Sequence, residues 1–226
     1  RQTFRFVNLP EPQALSVNRG FSAPIIVNLE QSGAERAFLM AHDEDSFARW
    51  EAGQQFATDL LLARVAEIQK GGDRTPFDPA FIAAMGETLR DEALDKGLAS
   101  EALLLPGEGY LAERMKIIDV DAIHTAREAL RRDLVTAMKD DFLRVYKANG
   151  QTGAYSPDPE QVGRRSLKNV ALGYLSVLAD EDEALYGLIT TQAREAGNMT
   201  DRLAALRLLV DMEGPEREAA LAAFHD

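Results

Sequence analysis

Ile123, Leu130, Leu134, Met138, Phe142 and Val145 recur at helical spacing, so one apolar stripe runs along a continuous amphipathic helix. Asp119 and Asp121 stand where a helix N-terminus favours negative charge, and Lys147 with Asn149-Gly150 closes the other end. The helix spans about seven turns. A helix of that length persists only if its stripe is covered, because ordering the backbone costs roughly 1–2 kcal/mol per residue while burial returns about 25 cal/mol per Å². The chain must therefore supply further helices to pack against it.

It does so on both sides. Phe47, Trp50, Ala57, Leu61, Val65 and Ile68 mark a long helix that begins near Asp43, Asp45 and Ser46 and ends before Gly71-Gly72, which places Trp50 on a core face. Asp78-Pro79 opens a helix carrying Phe81, Ile82, Met85 and Leu89, and a shorter one follows over Ala99 to Leu104 before Pro106-Gly107. Asp158-Pro159 starts another with Leu167, Val170, Ala171, Tyr174 and Leu178. Glu183 to Glu195 forms the next, closed by Gly197, and Thr200 is the expected cap of a helix bearing Leu203, Leu206 and Val210. Short connections favour antiparallel neighbours. No repeat of fixed period is present, so the stack is irregular.

Residues 1–42 have a different period. Phe4 and Phe6, Leu15 and Val17, and Ile25, Val27 and Leu29 alternate, with Pro10, Pro12, Gly20, Pro24 and Gly33 as punctuation, which predicts three or four short strands. About 40 residues seldom bury enough surface to fold alone, so these strands need a partner. The expected architecture is mainly α: a short antiparallel β segment at 1–42, part of a β-sandwich, then a helical domain over 43–226 built as an irregular stack of antiparallel helix pairs, an α-solenoid or superhelical bundle. Arg1 leads directly into the pattern Thr3-Phe4-Arg5-Phe6-Val7, and the helix opened by Pro215 stops soon after Leu221 and Phe224, so the chain is expected to be cut from a longer one at both ends.

Net charge is −12 with a pI near 4.8, which disfavours nucleic acid and anionic membranes as partners. No apolar run is long enough to span a bilayer, and with no cysteine the expected location is cytoplasmic. The three histidines, His42, His124 and His225, are far apart, so no H-E-x-x-H pair exists. His124 has Asp121 and Glu128 one turn away on either side, but a hydrogen-bonded histidine at a helix start is the simpler reading. Asp180-Glu181-Asp182-Glu183 lacks the glycine and alternating ligands of a calcium loop and suits a helix N-terminus. Arg164, Arg165 and Lys168 read as a solvated basic face. Gly107-Glu108-Gly109 lacks the lysine of a phosphate loop, and there is no G-x-S-x-G. No catalytic, cofactor-binding or metal residue is assigned within the chain.

Phe38-Leu39-Met40-Ala41-His42 followed by Asp45-Ser46-Phe47-Ala48-Arg49-Trp50 resembles the junction between the small β domain and the helical domain of bacterial aminopeptidase N, the alanyl aminopeptidases among the gluzincin zinc peptidases. The resemblance continues in order through Ile117-Ile118-Asp119, Arg127-Glu128-Ala129-Leu130, Tyr146 with Ala148-Asn149, Arg165-Ser166-Leu167-Lys168-Asn169 and Glu195-Ala196-Gly197-Asn198-Met199-Thr200-Asp201. It implies a parent enzyme that removes N-terminal residues from peptides with a zinc-bound water, using H-E-x-x-H and G-x-M-E-N motifs that lie outside this chain. The chain itself would then be an inactive, architectural part, whose partners are the catalytic domain and the parent's peptides, and whose helices close over the active site and limit entry. The alternative is a helical-repeat scaffold that binds a protein partner.

Overall fold

A computed structural model of the chain describes residues 3, 5, 7, 8, 14–72, 75–151, 153–212 and 215–225. The helices are α1 (Gly33–His42), α2 (Ser46–Ile68), α3 (Pro79–Arg90), α4 (Lys96–Ala102), α5 (Glu108–Ala112), α6 (Val120–Ala148), α7 (Pro159–Leu175), α8 (Glu183–Glu195), α9 (Met199–Val210) and α10 (Pro215–His225). Most begin in the same way. Asp45, Asp78, Asp95, Asp119, Asp158 and Asp182 each stand at an N-cap and accept a backbone N–H from the first turn, which satisfies donors the helix leaves open. Part of the acidic composition is thus the cost of starting helices cleanly. Asn198, rather than Thr200, caps α9, accepting from the Asp201 N–H.

The short antiparallel β segment expected over residues 1–42 is not seen among the described residues. Residues 14–32 run without ladder pairing apart from a single 3-10 turn at Arg19–Phe21, and 33–42 are helical. Phe4, Phe6, Pro10 and Pro12 lie outside the described residues. The signal for α1 was a capping box: the Ser32 hydroxyl accepts the Glu35 N–H at 3.2 Å while the Glu35 carboxylate takes the Ser32 N–H at 2.8 Å. Gly33, read as punctuation, is the first residue of that helix; a Cβ there would lie 3.1 Å from the Phe56 ring.

The long helix α6 is the centre of the stack, touching α2, α3, α5 and α7, while α7 also carries α4 and α9, and α8 and α10 close on α9. Its stripe is covered as expected: Ile123, Leu130, Leu134, Phe142 and Val145 are buried, and Phe142 stacks on Tyr174 of α7 at 4.6 Å. The α4–α7 approach is close enough that a Cβ on Gly163 would lie 2.8 Å from the Gly97 nitrogen, so only glycine fits there. The helix 108–112, missed because Pro106-Gly107 reads only as a break, fills the corner before α6. The buried residues of α2 include Ala52, Phe56, Ala57, Leu61 and Val65; Trp50, the fifth residue of the helix, keeps the phase of Ala57 and Leu61 but is 36% exposed. The core position assigned to Trp50 is therefore corrected: near the start of α2 that side of the helix is only partly covered, and the indole lies 5.9 Å from the Phe47 ring.

Phe142→Ala should lower unfolding free energy by about 3–5 kcal/mol through the cavity it leaves, whereas Trp50→Ala should cost about 1 kcal/mol or less. Urea denaturation followed by circular dichroism separates the two, and equal losses would contradict the burial described.

Candidate functional site

Lys168 and Asn169 on α7 were read as part of a solvated surface or as neighbours in a motif, but the fold carries them inward. Lys168 is 7% exposed and its ammonium donates to the Asp201 carboxylate on α9, itself 2% exposed. A buried charge is tolerated only when paired and hydrogen-bonded. Asp201 is both: Asn198 Nδ2 donates to Oδ2 at 3.0 Å and Asn169 Nδ2 to Oδ1 at 2.9 Å. Gln192 on α8 adds a third helix, donating to Asn169 Oδ1 at 2.8 Å and to the Asp201 carbonyl at 2.9 Å. The Tyr146 hydroxyl on α6 donates to Gln192 Oε1 at 3.1 Å. Burial, with the Asp201 charge behind it, pushes the Tyr146 phenol up. The node therefore ties α6, α7, α8 and α9 through one carboxylate.

Arg165 also turns inward, 5% exposed, with Nη2 on the Ser156 carbonyl at 3.0 Å and its guanidinium against Tyr155. Arg164 is half-buried and donates to the carbonyls of Ala148 and Gly150, at the end of α6. The three cations thus form no solvated face. Residue spacing could not show this, because their partners are 9 to 33 positions away.

Above the node lies a groove of about 880 Å³. Its floor is one face of α7, Ser166, Asn169, Val170, Gly173 and Tyr174, at spacings of three and four. Thr200, Leu203, Ala204 and Arg207 of α9 form one wall, Arg127 and Arg131 of α6 the other, and Glu101 near the end of α4 closes it with Leu104 just beyond that helix. Asn169 belongs to both node and groove. Tyr174 is pinned by donating to the Leu103 carbonyl at 2.7 Å, and burial raises its phenol well above the ordinary value. Arg127 Nε donates to the Pro106 carbonyl at 3.0 Å; Arg131 donates to the Gly173 carbonyl and to Glu128 at 2.7 Å. The concavity, volume and mixed lining are those of a ligand groove.

The histidines stay apart. His124 Nδ1 meets Glu108 Oε1 at 2.9 Å, both exposed, rather than Glu128 or Asp121. His42 rests on the Phe38 ring, and the His225 side chain lies outside the described residues. Among the described residues no three His, Asp or Glu side chains converge as metal ligands, and no helix is long and apolar enough to cross a membrane. In the acidic run, Asp182 caps α8; a hydrogen bond from Lys139 and then the N–H groups of Leu185 and Ala184 hold its carboxyl below the usual range.

Residues 33–226 match a family model described as a domain of unknown function (DUF3458_C), ARM repeats. The whole chain is 37% identical to aminopeptidase N of Escherichia coli and 35% identical to aminopeptidase N of Caulobacter vibrioides, in each case covering 25% of that protein. The relative from Haemophilus influenzae, also an aminopeptidase N, is 30% identical over 90% of the chain and is covered to 23%. The chain thus spans about a quarter of the length of these relatives. Among solved structures, Legionella pneumophila aminopeptidase A in complex with aspartic acid superposes with a TM-score of 0.77 at 26% identity, over 93% of this chain and 25% of that one.

Asp201→Ala should cost about 3–5 kcal/mol by stranding the Lys168 ammonium, and Lys168→Met combined with Asp201→Leu should recover most of it. Full additivity of the two single losses would show that the pair is not coupled. Tyr174 stays neutral in the fold at a pH where an unfolded phenol, ordinarily near 10, ionises. Its contribution is therefore complete below pH 10 and declines as pH rises above it. Tyr174→Phe should flatten that alkaline loss in thermal melts, and an unchanged slope would count against the buried phenol.

Proposed function

Since the chain belongs to the DUF3458_C ARM-repeat family and is homologous to the C-terminal helical domain of aminopeptidase N, we propose that it is a non-catalytic portion of a zinc-dependent aminopeptidase that takes N-terminal residues from peptides. The observation that carries this is similarity along the entire chain to enzymes about four times its length. His42 and His124 sit in α1 and α6 with different neighbours, and among the described residues no group of three His, Asp or Glu side chains is placed to hold a metal ion. Zinc chemistry in this reading belongs to the remainder of the parent, and no step runs through these residues.

What the chain contributes is shape. Buried helix pairs give a rigid wall, and the groove on α7 offers peptide-sized space beside it. In this reading the helices cover the parent's active site and limit the size of what enters. In this reading the segment 14–32 lies at the seam with a β-sandwich of the parent, where it finds its strand partners. The exposure of Ile25 and Ile26, 60% and 99%, supports a covering partner there. The same reading places the parent in the cytoplasm.

The purified chain should bind zinc below one equivalent by metal analysis and should not hydrolyse alanine p-nitroanilide, while the full-length parent does so and loses the activity to a chelator. Zinc-dependent turnover by the chain alone would overturn the reading. A parent without peptidase activity, in which this chain captures a protein partner, would replace it with an interaction scaffold.

A further inference from the structure

The groove over α7 carries a charge pattern opposite to that of the molecule. The chain has net charge −12, yet the charged side chains lining this groove are Arg127, Arg131, Arg207 and Glu101. Arg131 is committed, to Glu128 and the Gly173 carbonyl. Arg127 has one hydrogen bond, from Nε to a backbone carbonyl, and its Nη1 lies 4.0 Å from Glu128. The Arg207 side chain has neither a hydrogen bond nor an ion pair with any described residue, although acidic side chains outnumber basic ones 37 to 25 in the chain.

The floor has been left open. Gly173 sits in the last turn of α7, and a Cβ built there meets no atom within 4 Å. Packing inside the chain therefore does not require glycine at this position, unlike at Gly163. Its effect is to deepen the groove beside the arginines.

We propose that this groove binds an acidic peptide segment, lying along α7 with its carboxylate side chains on Arg207 and Arg127 from opposite walls. Guanidinium groups on two separate walls suit several carboxylates spread along a chain rather than one terminal group. As a statement about substrate class this rests on the peptidase reading above; as a statement about binding it stands on the groove alone.

The test uses the chain as it is and measures binding, not turnover. An N-acetylated, C-amidated, fluorescein-labelled peptide alternating glutamate with alanine should bind by fluorescence polarisation, at least about tenfold more tightly than its glutamine counterpart, and the affinity should fall as sodium chloride rises. Arg207→Gln, which removes no internal contact, should weaken binding about fivefold with an unchanged melting temperature. Gly173→Leu fills the floor while keeping every charge, and should abolish binding without loss of helix content. Equal affinity for the glutamate and glutamine peptides, indifference to both substitutions, or binding that requires a free C-terminal carboxylate would each overturn the proposal. None of these outcomes touches the zinc and anilide assays, so the two readings fail separately.

Discussion

A carboxylate taken out of water must recover its lost hydration from protein groups, and Asp201 does so with donors from two helices. Lys168 brings the countercharge, Asn169 and Asn198 fill the remaining acceptor positions, and Gln192 and Tyr146 extend the set to α8 and α6. A rotation or slide of α9 against α7 would leave the carboxylate or the ammonium unpaired. Hydrophobic faces alone tolerate several registers between two helices; this node favours one. The spacing of α7 and α9, and with it the width of the groove, follows from that choice.

The apolar core provides the energy that the node directs. Phe142 on Tyr174 fixes α6 to α7, and Phe56 against Phe81 at 5.3 Å fixes α2 to α3. Glycine decides where helices meet and where they stay apart. At Gly163 the missing Cβ lets α4 come into contact with α7, whereas at Gly173 the missing Cβ faces open space. The same residue type in one helix thus closes one approach and opens another, and the groove is what is left between α6 and α9 along α7.

Local rules read the helices well because the forces are local. Asp-Pro at 78–79 and 158–159, the apolar stripe from Ile123 to Val145 and the glycine stops all act within a few residues of where they are written. The capping box at Ser32 and Glu35 was equally local, but the alternating apolar residues before it suggested strands. Alternation shows only that a segment can pair; without a neighbouring strand, the backbone of 14–32 has no ladder to join. Trp50 failed for a related reason: it shares the helical phase of the buried Ala57 and Leu61, but periodicity does not show where along a helix its covering neighbours stop.

By itself the sequence determined a mostly helical chain, the starts and stops of its long helices, its acidic character and its resemblance to aminopeptidase N, since each rests on residue identity and short spacing. Only the tertiary structure decided that Lys168 and Arg165 are buried, that His124 faces Glu108, and that Arg127 and Arg207 share a groove 80 positions apart in the chain. Those outcomes depend on which helix faces meet, and that is set by the summed burial and pairing of many residues at once, a quantity that no single stretch of the chain contains.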